Sequence, residues 1–316
     1  MKRIFVCLPF LLLLLLMSCN RGRNITRTDT FTSGVASVVC DESLAPILNE
    51  QIAVFQGLNP DAEINPVYTN EVEAYNLLLS DSIRVLITAR EPSVEELDFI
   101  RGKKLTPRVQ KLAIDGVALI VNPANTDTLI SLYDVKKILT GDIAKWSELN
   151  NKQSSLGDIK VVFDNPNSST VRMMKDSLLS GRPFSENLSS LRNNPEVLEY
   201  VSKTPNALGI IGVNWISNPR DTTSLSFVEG VNVMSISLSA EATATNSYKP
   251  YPAYLALNYY PLKRDIYAVL TDLRGGLPAG FVHFLGGEKG QRIILKAGLV
   301  PATQPTRLVR LKDNFE

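Results

Sequence analysis

A single histidine, His283, and three cysteines, Cys7, Cys19 and Cys40, bound the covalent and metal chemistry open to this 316-residue chain. One imidazole leaves no Ser–His–Asp arrangement and no His-rich metal site with sequence support, and no Gly-rich phosphate loop is present. The acidic residues do not by themselves make a paired-carboxylate site, because chain position does not give their separation. What the chain does offer is polar residues at the starts of helical stretches: Asp41-Glu42-Ser43, Asn70-Glu71 and Ser168-Ser169-Thr170. Ser43, Ser168 and Thr170 suit N-caps, and Asp41 and Glu71 suit water-facing caps favoured by the helix dipole. Arg90, before Glu91-Pro92, suits a surface ion pair, and Asp164-Asn165-Pro166 an ordinary turn. Trp146 and Trp215 read as core and His283 as structural. Nothing here supports an enzyme, and neither a cofactor nor a metal is expected.

The N-terminus is a separate object. Lys2 and Arg3 precede an apolar run from Ile4 to Met17 that contains six consecutive leucines, Leu11 to Leu16. A run of 14 residues is short of the ~20 needed to span a bilayer but fits the apolar region of a signal peptide. It ends in Leu16-Met17-Ser18-Cys19, which resembles a bacterial lipobox. Residues 1–18 are therefore expected to be a lipoprotein signal peptide, Cys19 the lipidated residue, and 19–32 a polar tether. Cys40 is then the one cysteine left, so no intrachain disulfide and no cysteine zinc site can form; its apolar surroundings suit a buried small hydrophobe.

Loss of residues 1–18 removes Lys2 and Arg3 from 33 basic residues and nothing from 32 acidic ones, moving the net charge from +1 to −1. No bulk charge favours nucleic acid or another polyanion. With 44% apolar residues the chain can bury a core. Its length exceeds the ~250–300 residues at which single cores stop growing, so two packed units are expected.

Strand and helix patterns alternate. Strands are predicted at 35–40, 63–68, 84–88, 109–114, 116–121, 159–163, 209–212, near 224–228, and at 264–270. Helices are predicted from Ser43 to Phe55, over 71–79, from Ser93 with a capping-box pattern, and over 132–139, 171–179, 277–284 and 288–297. The stretch 240–252 reads as a loop. Such alternation predicts parallel sheets covered by helices, with ligands beyond the carboxyl ends of strands.

Five segments carry a family resemblance. Asp115-Gly116-Val117-Ala118-Leu119-Ile120-Val121-Asn122-Pro123 resembles the crossover strand of type II periplasmic solute-binding proteins. Leu139-Thr140-Gly141-Asp142-Ile143-Ala144-Lys145-Trp146 is similar to the family's F-T-G-x-I-x-x-W segment, and Ala207-Leu208-Gly209-Ile210-Ile211-Gly212 to its glycine-bounded strand. Tyr260-Pro261-Leu262-Lys263-Arg264 and the run from Gly290-Gln291 to Val300-Pro301 look like the return strand and tail of the phosphate-binding proteins of ABC importers. The resemblance implies an α/β, two-lobed type II periplasmic-binding-protein fold, each lobe a mostly parallel sheet flanked by helices, joined by two crossover strands. Lobe 1 is then 31–117 plus 258–316, and lobe 2 is 118–257.

The same resemblance implies a site of backbone N–H groups and hydroxyls at helix N-termini, with arginine adding charge. Matched loop by loop, it nominates Ser43 and Leu44, Asn70 and Glu71, Ala89 and Arg90, and Ser168, Ser169 and Thr170. The match is imperfect. Asp41 stands where a hydroxyl is usual, Glu71 near the usual serine, Asp164 at the usual arginine, and Ser169 at a usual glycine. Two negative charges ~4 Å apart oppose each other by roughly 4 kcal/mol at an effective dielectric of ~20, so these acids bear directly on anion capture. Arg172 offers a replacement for the lost arginine.

The implied function is a lipid-anchored extracytoplasmic protein, facing the periplasm from the cell envelope. It would capture phosphate or a related oxyanion for an ABC permease as a monomer that touches the membrane only through its anchor. A second reading keeps the fold and changes the ligand, or makes the chain a sensor or envelope partner; Asp41, Glu71 and Asp164 motivate it.

Overall fold

The computed structural model describes residues 28–149, 156–218, 221, 226–272 and 274–303. The expected signal peptide, Cys19 and most of the tether lie outside them, as do residues 224 and 225 of the strand expected near 224–228; the described residues 226–228 form no strand, and Phe227 makes an isolated bridge to Ser217.

The first lobe starts with β1 (Gly34–Asp41), whose β-branched run supplies the fully buried Val38, Val39 and Cys40. Helix α1 (Ala45–Leu58) follows with Pro46 in its first turn, where the missing N–H costs nothing. Its Ile47, Leu48, Ile52 and Phe55 lie on the sheet, and Phe55 packs edge-on to Phe281 and Phe284 at 5.2 Å. Next come β2 (Ala62–Thr69), α2 (Glu71–Leu79), β3 (Val85–Thr88) and α3 (Val94–Gly102). Strands β2 and β3 run parallel to β1 on either side.

The two runs expected on either side of Asp115 are one strand, β4 (Arg108–Val121). Asp115 does not interrupt it, because its charge meets a partner on the neighbouring strand, described below. Up to Gly116, β4 pairs antiparallel with β12 (Lys263–Leu270), which lies against β3; from Val117 it pairs antiparallel with β8 (Ala207–Gly212). One strand thus belongs to both lobes. The expected parallel pattern holds at the flanks, while the centre is antiparallel because the chain crosses between lobes and returns.

The second lobe contains β5 (Leu129–Ser131), α4 (Leu132–Thr140), β6 (Lys160–Phe163), α5 (Ser169–Met174), β7 (Leu188–Ser190) and α6 (Asn194–Lys203), all before β8. Strand β6 runs parallel to β7 and β8. The helix expected over 171–179 starts two residues earlier and widens into a π turn over Lys175–Leu179. Helix α6 was not anticipated, although Asn193 caps it by accepting the Glu196 N–H at 3.0 Å and Pro195 occupies its first turn. Short strands β9 (Asn232–Val233), β10 (Ser235–Ser237) and β11 (Ser247–Tyr248) follow, the last within the expected loop, and then α7 (Pro252–Ala256).

The return crossing is tied to β4 where Tyr260 Oη donates to the Val117 carbonyl at 2.8 Å. Helices α8 (Leu277–Gly286) and α9 (Glu288–Lys296) and the short β13 (Val300–Pro301) complete the first lobe. The end of the expected tether is docked there: Asp29 Oδ2 accepts the Leu277 N–H at 2.9 Å. A separate core fills the second lobe around Trp146, Leu139 and Ile210. Trp146 is fully buried, as expected, whereas His283 lies on the exposed side of α8. Among the described residues no helix is long and apolar enough to cross a membrane.

Candidate functional site

Two chain segments from different lobes meet end to start. In the first lobe β1 delivers Asp41-Glu42-Ser43 into a single 3-10 turn ahead of α1. In the second, β6 leads through Asp164–Asn167 into α5, whose cap Ser168 accepts the Val171 N–H. Asp41 is fully buried and joins them. Its Oδ1 accepts the Ser43 N–H at 2.8 Å, and its Oδ2 accepts the Ser169 N–H from the opposite lobe at 3.0 Å. The Ser43 and Ser169 hydroxyls are hydrogen-bonded to each other at 3.1 Å.

Arg264, on β12, completes this centre. Its Nη1 donates to Ser169 Oγ at 2.7 Å and Thr170 Oγ1 at 3.2 Å. Its Nε and Nη2 both donate to Asp115 Oδ2, at 3.0 and 2.9 Å. Asp115 and Arg264 face each other in the β4–β12 register, which is why a charge can sit in the middle of β4. Burial pushes the Asp115 carboxyl up even with Arg264 beside it. Burial also works against the Arg264 charge, but Asp115 and Asp41 outweigh it and hold the guanidinium above its usual pKa.

A second acid is neutralised in the same way. Glu71, buried at the start of α2, accepts from Nε and Nη2 of Arg172, which reaches across from α5. Thr88 Oγ1 donates to Glu71 Oε1 at 3.1 Å, and Arg172 Nη2 donates to the Ala89 carbonyl at 3.0 Å. The third acid, Asp164, accepts from Ser168 Oγ at 2.5 Å and from Asn194 Nδ2 at 3.1 Å. Asn194 Nδ2 also reaches Glu42 Oε2 at 2.6 Å, another bond between lobes. Burial above all pushes Asp164 up to about 7, with the Asp41 and Glu42 charges adding to it and the Ser168 hydroxyl opposing.

The geometry sorts the predicted residues. Ser43, Ser169 and Thr170 converge on one point, with Ser168 one residue away. Leu44 is buried in the first-lobe core, and Ala89 enters through its carbonyl. Asn70 caps α2 by accepting the Glu73 N–H at 3.0 Å. Arg90 is not at the centre: both of its Nη atoms donate to Glu96 at 2.7 Å, and its guanidinium lies 3.6 Å from the Tyr75 ring centroid. Its nearest approach to Glu71 is 3.9 Å. The water-facing reading of Asp41 and Glu71 is also corrected, since they are 0% and 2% exposed. Trp215 does more than pack, because its indole N–H donates to the Ser43 carbonyl across the lobes at 3.0 Å, beside Asn214 Nδ2 at 2.9 Å.

Arg264 and Asp115 were missed as site residues. A signal existed: an aspartate inside the apolar run of β4 demands a buried partner, and the return strand carries an arginine. A cavity of about 190 Å³ opens beside this centre, lined by Asp41, Glu42, Thr69, Asn70, Asp164 and Arg192 among others. Among the described residues no group of three or more His, Cys, Asp or Glu could hold a metal. Chemically, two N–H groups hold the Asp41 carboxylate, and next to it one guanidinium holds Asp115 and two hydroxyls, an arrangement that suits holding an anion.

Comparison with known proteins agrees with this frame. A family model described as a PBP superfamily domain matches residues 26–288. The phosphate-binding protein PstS of Borreliella burgdorferi is 24% identical over 95% of this chain and 99% of its own length. PstS of Bacillus subtilis is 24% identical over 86% of this chain and 82% of its own. Among solved structures, a Clostridium perfringens protein with bound phosphate superposes with a TM-score of 0.70 at 19% identity, covering 85% of this chain and all of that one. An ABC-type phosphate transport receptor from Vibrio cholerae gives 0.61 at 18% identity, again over 85% of this chain and all of that one.

Proposed function

Because the chain belongs to the PBP superfamily, we propose that it is an extracytoplasmic solute-binding protein that captures phosphate or a related oxyanion between its lobes for an ABC importer. The observation that carries this reading is that the buried Asp41 carboxylate accepts the N–H groups of Ser43 and Ser169 from opposite lobes, beside the Ser169 and Thr170 hydroxyls that Arg264 holds. The naming of its relatives as phosphate-binding proteins supports the same ligand. In this reading lobe 1 comprises 31–117 and 258–316, lobe 2 comprises 118–257, and the lobes hinge about β4 and the return crossing. The protein works as a monomer without catalysis, held at the envelope by a lipid on Cys19.

Calorimetric titration of the protein with phosphate tests the ligand. Saturable heat with a matching rise in melting temperature is expected; neither heat nor thermal shift with phosphate or other oxyanions contradicts it. Fatty-acid labelling tests the anchor, which is expected to label wild type but not Cys19→Ala.

The acidic lining of the adjacent cavity favours a second reading, in which the same fold holds another solute. A thermal-shift panel of oxyanions, amino acids and cations separates the two, since a response confined to a non-oxyanion transfers the function to that ligand.

A further inference from the structure

The acids that stand where oxyanion-binding loops resemble one another are not bystanders. Asp41 is the last residue of β1, and its carboxylate accepts backbone N–H groups from both lobes at once, Ser43 at 2.8 Å and Ser169 at 3.0 Å. Ser169 links this carboxylate to the cationic centre, because its N–H serves Asp41 while its hydroxyl accepts from Arg264 at 2.7 Å. Arg264 is otherwise committed to Asp115. Arg172 is likewise committed, to Glu71 and the Ala89 carbonyl.

We infer that Asp41 is a specificity-determining residue that acts as the cleft's built-in anion. Its carboxylate takes the two N–H groups and the place beside Ser169 and Arg264 that a captured oxyanion requires, so an oxyanion binds only by displacing it. This inference rests on the proposed oxyanion-binding function. Three arguments carry it. The carboxylate uses one oxygen per lobe, as a bound oxyanion would to hold two lobes together. A second negative group left beside it would be repelled at close range in a site removed from water, which opposes joint occupancy. And two N–H donors cannot serve two acceptors fully at once. The consequence is competition: Asp41 weakens oxyanion binding and reserves the cleft for ligands that replace all its bonds.

The test compares wild type, Asp41→Ser and Asp41→Asn as full chains by calorimetric titration with inorganic phosphate. Circular dichroism and melting temperature establish that each variant is folded. Asp41→Ser removes the competitor and supplies a hydroxyl; Asp41→Asn keeps the shape and removes the charge. Phosphate affinity is expected to rise by roughly tenfold or more in both, a change of about 1.4 kcal/mol or more. Small-angle scattering gives a second reading: without phosphate the radius of gyration of Asp41→Ser is expected to exceed that of wild type, and added phosphate to reverse it. Equal phosphate affinity in wild type and both folded variants overturns the inference while leaving the oxyanion function standing. A loss of affinity on substitution also overturns it, since Asp41 would then assist binding. Absence of phosphate binding in all three overturns the function and the inference with it.

Discussion

At the scale of single residues, the site is governed by how buried carboxylates are answered. Asp115 is answered by one charged partner, Arg264, and both are nearly or wholly removed from water. Removing one partner of such a pair strands the other, so Arg264→Met is expected to lower stability by about 3–5 kcal/mol in chemical denaturation. Arg264→Lys should recover only part of this, because an ammonium cannot serve Asp115 and two hydroxyls in one plane. Asp164 responds to pH in the opposite sense to a salt-bridged acid. Burial raises it to about 7, so the folded state prefers it protonated. Its contribution is full below the unfolded carboxylate range near pH ~4 and is lost as pH rises towards about 7, on the order of 4 kcal/mol at the upper bound. Asp164→Asn is therefore expected to flatten the fall in stability across that window. A pH–denaturation series with the same slope in wild type and variant would show that Asp164 does not titrate there.

At the scale of elements, the local signals were the readable ones. The capping box predicted at Ser93 is present, with Ser93 Oγ accepting the Glu96 N–H and Glu96 Oε2 accepting the Ser93 N–H. Ser93→Ala is expected to destabilise by about 1 kcal/mol in thermal melts. That same Glu96 draws Arg90 away from the centre, which loop matching alone could not reveal, since Tyr75 and Glu96 are brought to Arg90 by the packing of α2 and α3. Strands β1, β3 and β6 were legible as β-branched runs. Asp115 was misread as a break because its partner lies 149 residues away and is supplied by strand register. Asp41 was read as a water-facing cap for a similar reason: its second partner, Ser169, lies 128 residues away in the other lobe. Gly116 marks the crossing point of β4, where an added Cβ would come within 2.9 Å of Val213 Cγ2 and 3.1 Å of Pro250 Cβ. Gly116→Ala should destabilise by about 1–3 kcal/mol and perturb the relation of the lobes. A melting temperature equal to wild type would show that the crossing has slack.

At the scale of the molecule, the two lobes share one strand and are linked by polar bonds gathered at the cleft: Asp41 to Ser169, Glu71 to Arg172, Glu42 to Asn194, and Ser43 to Asn214 and Trp215. Two lobes joined by a strand and held by directional bonds can part without exposing either core, which suits a protein that must admit and release a ligand. The central claim is that phosphate or a related oxyanion takes the two backbone N–H groups that Asp41 occupies. The most direct measurement is amide NMR of the isotopically labelled protein titrated with phosphate. The amide resonances of Ser43 and Ser169 are predicted to shift together and saturate together, although they belong to opposite lobes. Saturable phosphate binding that leaves both amides unmoved, or no binding at all, would contradict the account.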